Sequence, residues 1–163
     1  MLGDIPDAYT QDFYDNAQWL KLGYHGNSST PFIEETGYQE GYDITDQALA
    51  CLGAGRTNIL RLHSWEASPE QKAYLKEKGI KVLLYPDDDR YGYAQNDTFE
   101  QGGLVHRRTN VWYEKMEMIN EESLFIGREY VTAFTHEWCF DQQAQRIETS
   151  LKLYEDNGYT FDC

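Results

Sequence analysis

Three of the four histidines close short apolar runs: Leu20-Lys21-Leu22-Gly23-Tyr24-His25, Ile59-Leu60-Arg61-Leu62-His63 and Val131-Thr132-Ala133-Phe134-Thr135-His136. Neutral imidazole is the commonest ligand for zinc and similar ions, and the side chain best suited to proton transfer near neutral pH. Two or three such rings at the same end of a sheet can hold a divalent ion while leaving one position open to water. Taken singly, each reads first as an ordinary histidine at a loop or core edge; the three together, at equivalent positions, favour a site. Strand alternation places Lys21, Gly23 and His25 on one face, as it does Arg61, His63 and Trp65, and Phe134, His136 and Trp138. Leu20, Leu22, Leu60 and Leu62 then point the other way.

Trp65 and Trp138 each stand two residues past one of these histidines, where they can stack on a sugar ring, wall an acyl pocket or simply lid a core. Asp87-Asp88-Asp89-Arg90 follows another strand-like run, so Asp88 and Arg90 are candidates to orient a sugar hydroxyl; the same run also reads as a solvated acidic turn. Other chemistries fail on spacing. His136-Glu137 begins like HExxH but has Phe140 at the fifth position, on a strand pattern rather than a helix. Cys139 stands an odd number of strand positions from His136, on the opposite face. Gly53-Ala54-Gly55-Arg56 follows a helix pattern and opens a strand, the reverse of a phosphate-binding loop.

The elements that must position these residues alternate. Helical spacing over Ala8–Gln18 precedes a strand at Trp19–His25; a Gly-, Ser- and Thr-rich loop over residues 26–41 precedes a helix at Asp43–Leu52, with Asp43 or Thr45 as its cap. A second strand is predicted at Thr57–His63. Ser68-Pro69-Glu70-Gln71 then reads as a capped helix start over 69–78, and Ile80–Tyr85 as a third strand. Strand, helix, strand is the mark of parallel βαβ units. Beyond it come short candidate strands at Leu104–Arg108 and Asn110–Glu114, the Val131–Trp138 run, a helix at Asp141–Asp156 and a last strand at Tyr159–Phe161.

The bulk properties exclude several partners. With 163 residues the chain suits one domain and is short for a complete eight-stranded α/β barrel of roughly 250. A net charge of -14 repels phosphate backbones and anionic lipid surfaces, so neither nucleic acid nor a membrane is expected as a partner. Cys51, Cys139 and Cys163 are odd in number and show no CxxC spacing, which reads as reduced thiols. With no leader-like start and no long apolar run, the expected location is the cytoplasm.

Trp19 to Gly26, Arg61-Leu62-His63 with Trp65 and Ser68, Asp87 to Arg90, and Thr135-His136-Glu137-Trp138 together resemble the NodB-homology polysaccharide deacetylases, and most closely an intracellular branch of that superfamily. The similarity spans about Asp15 to Phe161. It implies an α/β fold, an incomplete (β/α) barrel of mostly parallel strands, and metal-dependent removal of N- or O-acetyl groups from a carbohydrate. On this resemblance His25 matches a metal-binding histidine, with zinc the expected ion. His136 matches the late histidine that protonates the leaving group, and Arg61 matches the arginine that orients the catalytic aspartate.

The chain departs from that pattern in two places. Ser29 stands where the second motif's other histidine is expected, which leaves His63 to serve as the neighbouring metal ligand. The opening aspartate pair has no counterpart, which implies a chain shortened at its N-terminus, with impaired activity or a homo-oligomer covering the open sheet edge. The alternatives are a non-catalytic carbohydrate-binding or scaffold domain that keeps the fold, and a structural α/β domain whose histidines only pack.

Overall fold

Thr57 breaks the second predicted strand. Its hydroxyl accepts the Ile59 N–H at 3.0 Å, a local side-chain bond that competes with the sheet ladder. Only Ile59–Leu60 of the run forms a strand, and a separate short strand at Gly55–Arg56, ahead of the run, pairs with a different partner. In this computed structural model, which describes residues 7–27, 29–85, 98–115, 122–136 and 139–161, the chain divides into two compact units. The first runs to Tyr85 and includes Thr98–His106; the second is built from Arg107 onward.

In the first unit, α1 (Asp7–Asp15) leads to β1 (Lys21–Leu22), which pairs in parallel with β2 (Gly55–Arg56). Between them lies α2 (Tyr38–Cys51), which starts well before the predicted Asp43 and is entered from Gly37 at φ 74°. Tertiary packing adds that first stretch: Tyr38 and Tyr42, one helical turn apart, both set ring edges against Tyr74. Asp43 is not a cap, since its carboxylate instead accepts from the Tyr74 hydroxyl at 3.0 Å and meets Lys78 at 2.6 Å.

β3 (Ile59–Leu60), α3 (Pro69–Glu77) and β4 (Val82–Tyr85) form the predicted parallel βαβ unit, Ile59 opposite Val82 and Leu60 opposite Leu83. The start of α3 is a complete capping box: Gln71 N–H donates to Ser68 Oγ at 3.2 Å and Ser68 N–H to Gln71 Oε1 at 2.8 Å. The sheet continues in the order β3-β4-β6-β5 through β5 (Thr98–Gln101), not foreseen in the sequence, and β6 (Leu104–Arg108). Gly102 and Gly103, at φ 64° and 73°, make the two-residue turn between them.

Leu60, Leu62, Leu75, Leu83 and Leu104 fill the first core with Tyr24, Phe32 and Tyr42. Each fully buried leucine contributes roughly 1.5–3 kcal/mol. Above them five aromatic rings close a circuit of edge-to-face contacts, Tyr24 to Phe32 to Tyr38 to Tyr74 to Tyr42 and back to Tyr24, with centroids 5.5–6.1 Å apart.

The second unit pairs β7 (Val111–Trp112) in parallel with β8 (Ala133–Phe134), both shorter than the sequence runs suggest. Its last helix, α4 (Phe140–Asp156), closes a core of Val111, Tyr113, Phe125 and Tyr154. Glu122 ties a 3-10 turn to that helix, accepting from Arg146 Nε at 2.8 Å and Ser150 Oγ at 3.0 Å. No strand forms at Tyr159–Phe161. The Tyr159 ring packs on Tyr154, and its hydroxyl lies 2.7 Å from the Arg128 carbonyl and 3.0 Å from that of Phe125, so this residue serves the core rather than a ladder. The architecture is mixed α/β, with small sheets whose strand pairs are mostly parallel. Among the described residues no helix is long and apolar enough to cross a membrane.

Candidate functional site

His25 and His63 come together in the first unit. Beyond β1 the backbone stays extended long enough for the His63 N–H to donate to the His25 carbonyl at 2.9 Å, and the Phe32 N–H donates to the His63 carbonyl at 3.0 Å. The seven residues from Thr57 to His63 run beside only four from Leu22 to His25, and the excess packs over Gly23: a Cβ there would lie 2.5 Å from Thr57 Cγ2 and 2.8 Å from Leu60 Cδ2. A side chain at Gly23 would have to displace these two methyl groups.

Each imidazole is oriented by a main-chain carbonyl. His25 Nδ1 lies 2.5 Å from the Arg61 oxygen and His63 Nδ1 2.9 Å from the Thr30 oxygen. A carbonyl can only accept, so in the neutral rings both protons sit on Nδ1 and both lone pairs on Nε2, the form in which histidine ligates a metal. The ring centroids are 5.6 Å apart at 82°. A ring bound to zinc through Nε2 puts its centroid about 3.2 Å from the ion, so two such rings at a tetrahedral angle stand about 5.2 Å apart. The observed spacing is that of two ligands of one ion and equally that of an ordinary edge-to-face ring contact. Among the described residues no group of three or more His, Cys, Asp or Glu side chains is gathered for a metal.

Arg61 and Trp65 flank the pair. The Arg61 guanidinium lies over the Trp65 ring, 3.7 Å from its centroid. That stack is reached through a turn in which the Trp65 N–H donates to the Leu62 carbonyl at 3.0 Å, with Ser64 at φ 59° and Trp65 at φ 72°. Two successive non-glycine residues in the left-handed region cost on the order of 1–2 kcal/mol each. The strain falls directly after His63, and the cation–π contact offsets part of it.

His136 lies in the second unit, just past β8. Its main-chain N–H donates to Glu114 Oε1, and its ring Nδ1 stands 3.3 Å from the same oxygen. The Thr135 hydroxyl donates to that oxygen too, at 2.8 Å. Burial alone would raise the Glu114 carboxyl, but the His136 N–H, the Thr135 hydroxyl, its own N–H and the imidazole outweigh it and hold it below the ordinary glutamate range. Phe134 and Trp112 stand around the ring, with centroids 4.7 and 6.1 Å from it. A carboxylate on Nδ1 orients an imidazole so that Nε2 can exchange a proton with a substrate.

Glu114 has no distinguishing mark in the sequence. Only the β7–β8 register reveals it: Val111 opposite Ala133 and Trp112 opposite Phe134 carry Glu114 to the level of His136. The fourth histidine, His106, is buried in β6 and stacks on Phe99 at 4.6 Å. Trp138, Asp88 and Arg90, read from the sequence as substrate-binding candidates, lie outside the described residues. Compared with protein-family models, curated proteins and solved structures, the chain matches none of them.

Proposed function

We propose that this protein is a metal-dependent hydrolase of the deacetylase type, acting on N- or O-acetyl groups of a carbohydrate from the cytoplasm, on an incomplete (β/α) barrel. The observation that carries the reading is the His25–His63 pair, each ring oriented through Nδ1 by a main-chain carbonyl and the two ring centroids 5.6 Å apart. His25 and His63 would hold the ion, with zinc the best match to two imidazoles. When bound, such an ion acidifies a water and polarises a carbonyl.

The other steps belong to the chain's own side chains. In the second unit, taken by itself, His136 is oriented through Nδ1 by Glu114, the arrangement of a proton donor to a departing amine or alcohol. Arg61 stays parked over Trp65, supplying a fixed positive charge beside the histidine pair. The test is elemental analysis of untagged protein loaded with zinc, together with acetate release from N-acetylglucosamine oligomers. Stoichiometric zinc, lost in His25→Ala and His63→Ala together with acetate release, is expected. Full zinc occupancy in both metal-site variants defeats the proposal.

A further inference from the structure

Glu35 is nine-tenths buried, 7% exposed, yet its carboxylate is used on one side only. Oε1 accepts from the Tyr24 hydroxyl at 2.5 Å and from the Asn27 N–H at 2.9 Å; Oε2 is buried and, among the described residues, has no hydrogen-bond partner. Tyr24 and Asn27 bracket His25. The same connection between β1 and α2 supplies the Thr30 carbonyl to the His63 ring and the Phe32 N–H to the His63 carbonyl. Glu35 also closes this connection on itself, its N–H donating to the Phe32 carbonyl at 3.0 Å.

We propose that Glu35 is the positioning residue of the His25–His63 pair: by gripping Tyr24 and Asn27 it fixes the bend that points His25 Nδ1 at the Arg61 carbonyl. Burying a carboxylate that makes only two hydrogen bonds is costly, and a tie this expensive is informative. The Tyr24 ring cannot swing away from it. The ring is held in the aromatic circuit against Phe32 and Tyr42. Its hydroxyl donates to Glu35 from that fixed ring, and the backbone one residue before His25 is pinned with it.

The assignment deepens the metal-site reading, and its test separates the two. Imidazole 15N–1H spectra of the full-length protein, without metal and at a pH where all four rings are neutral, report each tautomer. The wild-type chain shows one Nδ1–H tautomer at His25 and at His63. Glu35→Ala averages the two tautomers at His25 while His106, buried in the sheet, is unchanged; Glu35→Gln, whose carbonyl accepts the same two bonds, restores the wild-type spectrum. An unaltered His25 in Glu35→Ala overturns the proposal, as does equal disturbance of His106 and His136, which marks general loosening. If Glu35→Ala does not fold, Tyr24→Phe takes its place, and His25 must shift alone in it or the proposal fails. A Co2+ titration then addresses the metal: affinity about tenfold weaker in Glu35→Ala than in wild type or Glu35→Gln is expected. Absence of Co2+ binding to wild type sinks the metal-site reading, while the tautomer result still decides the role of Glu35.

Discussion

Glu114 meets His136 twice, accepting the main-chain N–H and standing 3.3 Å from ring Nδ1 through the same oxygen. The second oxygen, Oε2, is buried without a hydrogen-bond partner among the described residues. This one-sided contact gives the carboxylate a measurable pH signature.

Because the folded carboxyl is held below its ordinary value of 4.5, Glu114 contributes stability that is present above that pH and is lost as the pH falls through the depressed folded value. Urea unfolding of wild type against Glu114→Gln should show a gap near neutral pH that closes as the pH drops below about 4.5. Glu114→Ala, which leaves the Thr135 hydroxyl and His136 N–H without their acceptor, should cost about 1–3 kcal/mol at neutral pH. A gap that ignores pH would show that the charge is immaterial.

His106 titrates in a different window. Burial first, and Lys72 second, push its imidazole down to about 4, against a partial opposing effect of the Gln101 backbone. The unfolded chain therefore binds a proton that the folded chain refuses between 6.5 and about 4. Stability is full above that window and falls as the pH descends through it, by on the order of 3 kcal/mol in all. His106→Phe, which keeps a ring to stack on Phe99, should flatten the profile in this range; an equally steep profile in the variant would remove His106 from the account.

The capping box of α3 gives a plain stability test. Ser68→Ala should lower the unfolding free energy by about 1 kcal/mol, and Ser68→Asp, which can accept the same Gln71 N–H, should recover most of it. Chemical denaturation with an unchanged m-value is the measurement. No loss in the alanine variant would mean that tertiary packing alone holds the helix start.

Gly55 is fixed by its neighbours' backbone. A Cβ at that position would lie 2.4 Å from the Ala17 carbonyl oxygen and 2.8 Å from that of Leu20, groups that cannot rotate aside. Gly55→Ala should cost about 3 kcal/mol by forcing β2 away from the chain leading into β1. Thermal unfolding reads this directly, and a melting temperature equal to wild type would contradict the close approach.

The sequence by itself determined the parts governed by local rules. Helix α3 with its Ser68 and Gln71 box, helix α4, the strand at Leu104–Arg108 and the parallel βαβ unit follow from capping chemistry and periodicity, which act over a few residues. His25, His63 and His136 read as closing strands; they lie two or three residues past β1, β3 and β8, and two of them, His25 and His63, become neighbours. Tertiary structure decided what depends on which segment lies beside which. The early start of α2 comes from Tyr38 and Tyr42 finding Tyr74; the shortening of the Thr57–His63 run to Ile59–Leu60 accompanies the Thr57 hydroxyl's bond to the Ile59 N–H; Tyr159 is taken from a strand by the carbonyls of Phe125 and Arg128. Glu114 and Glu35 stayed hidden because a carboxylate acquires its role from partners 22 and 11 residues away along the chain, and only the fold brings such partners within reach.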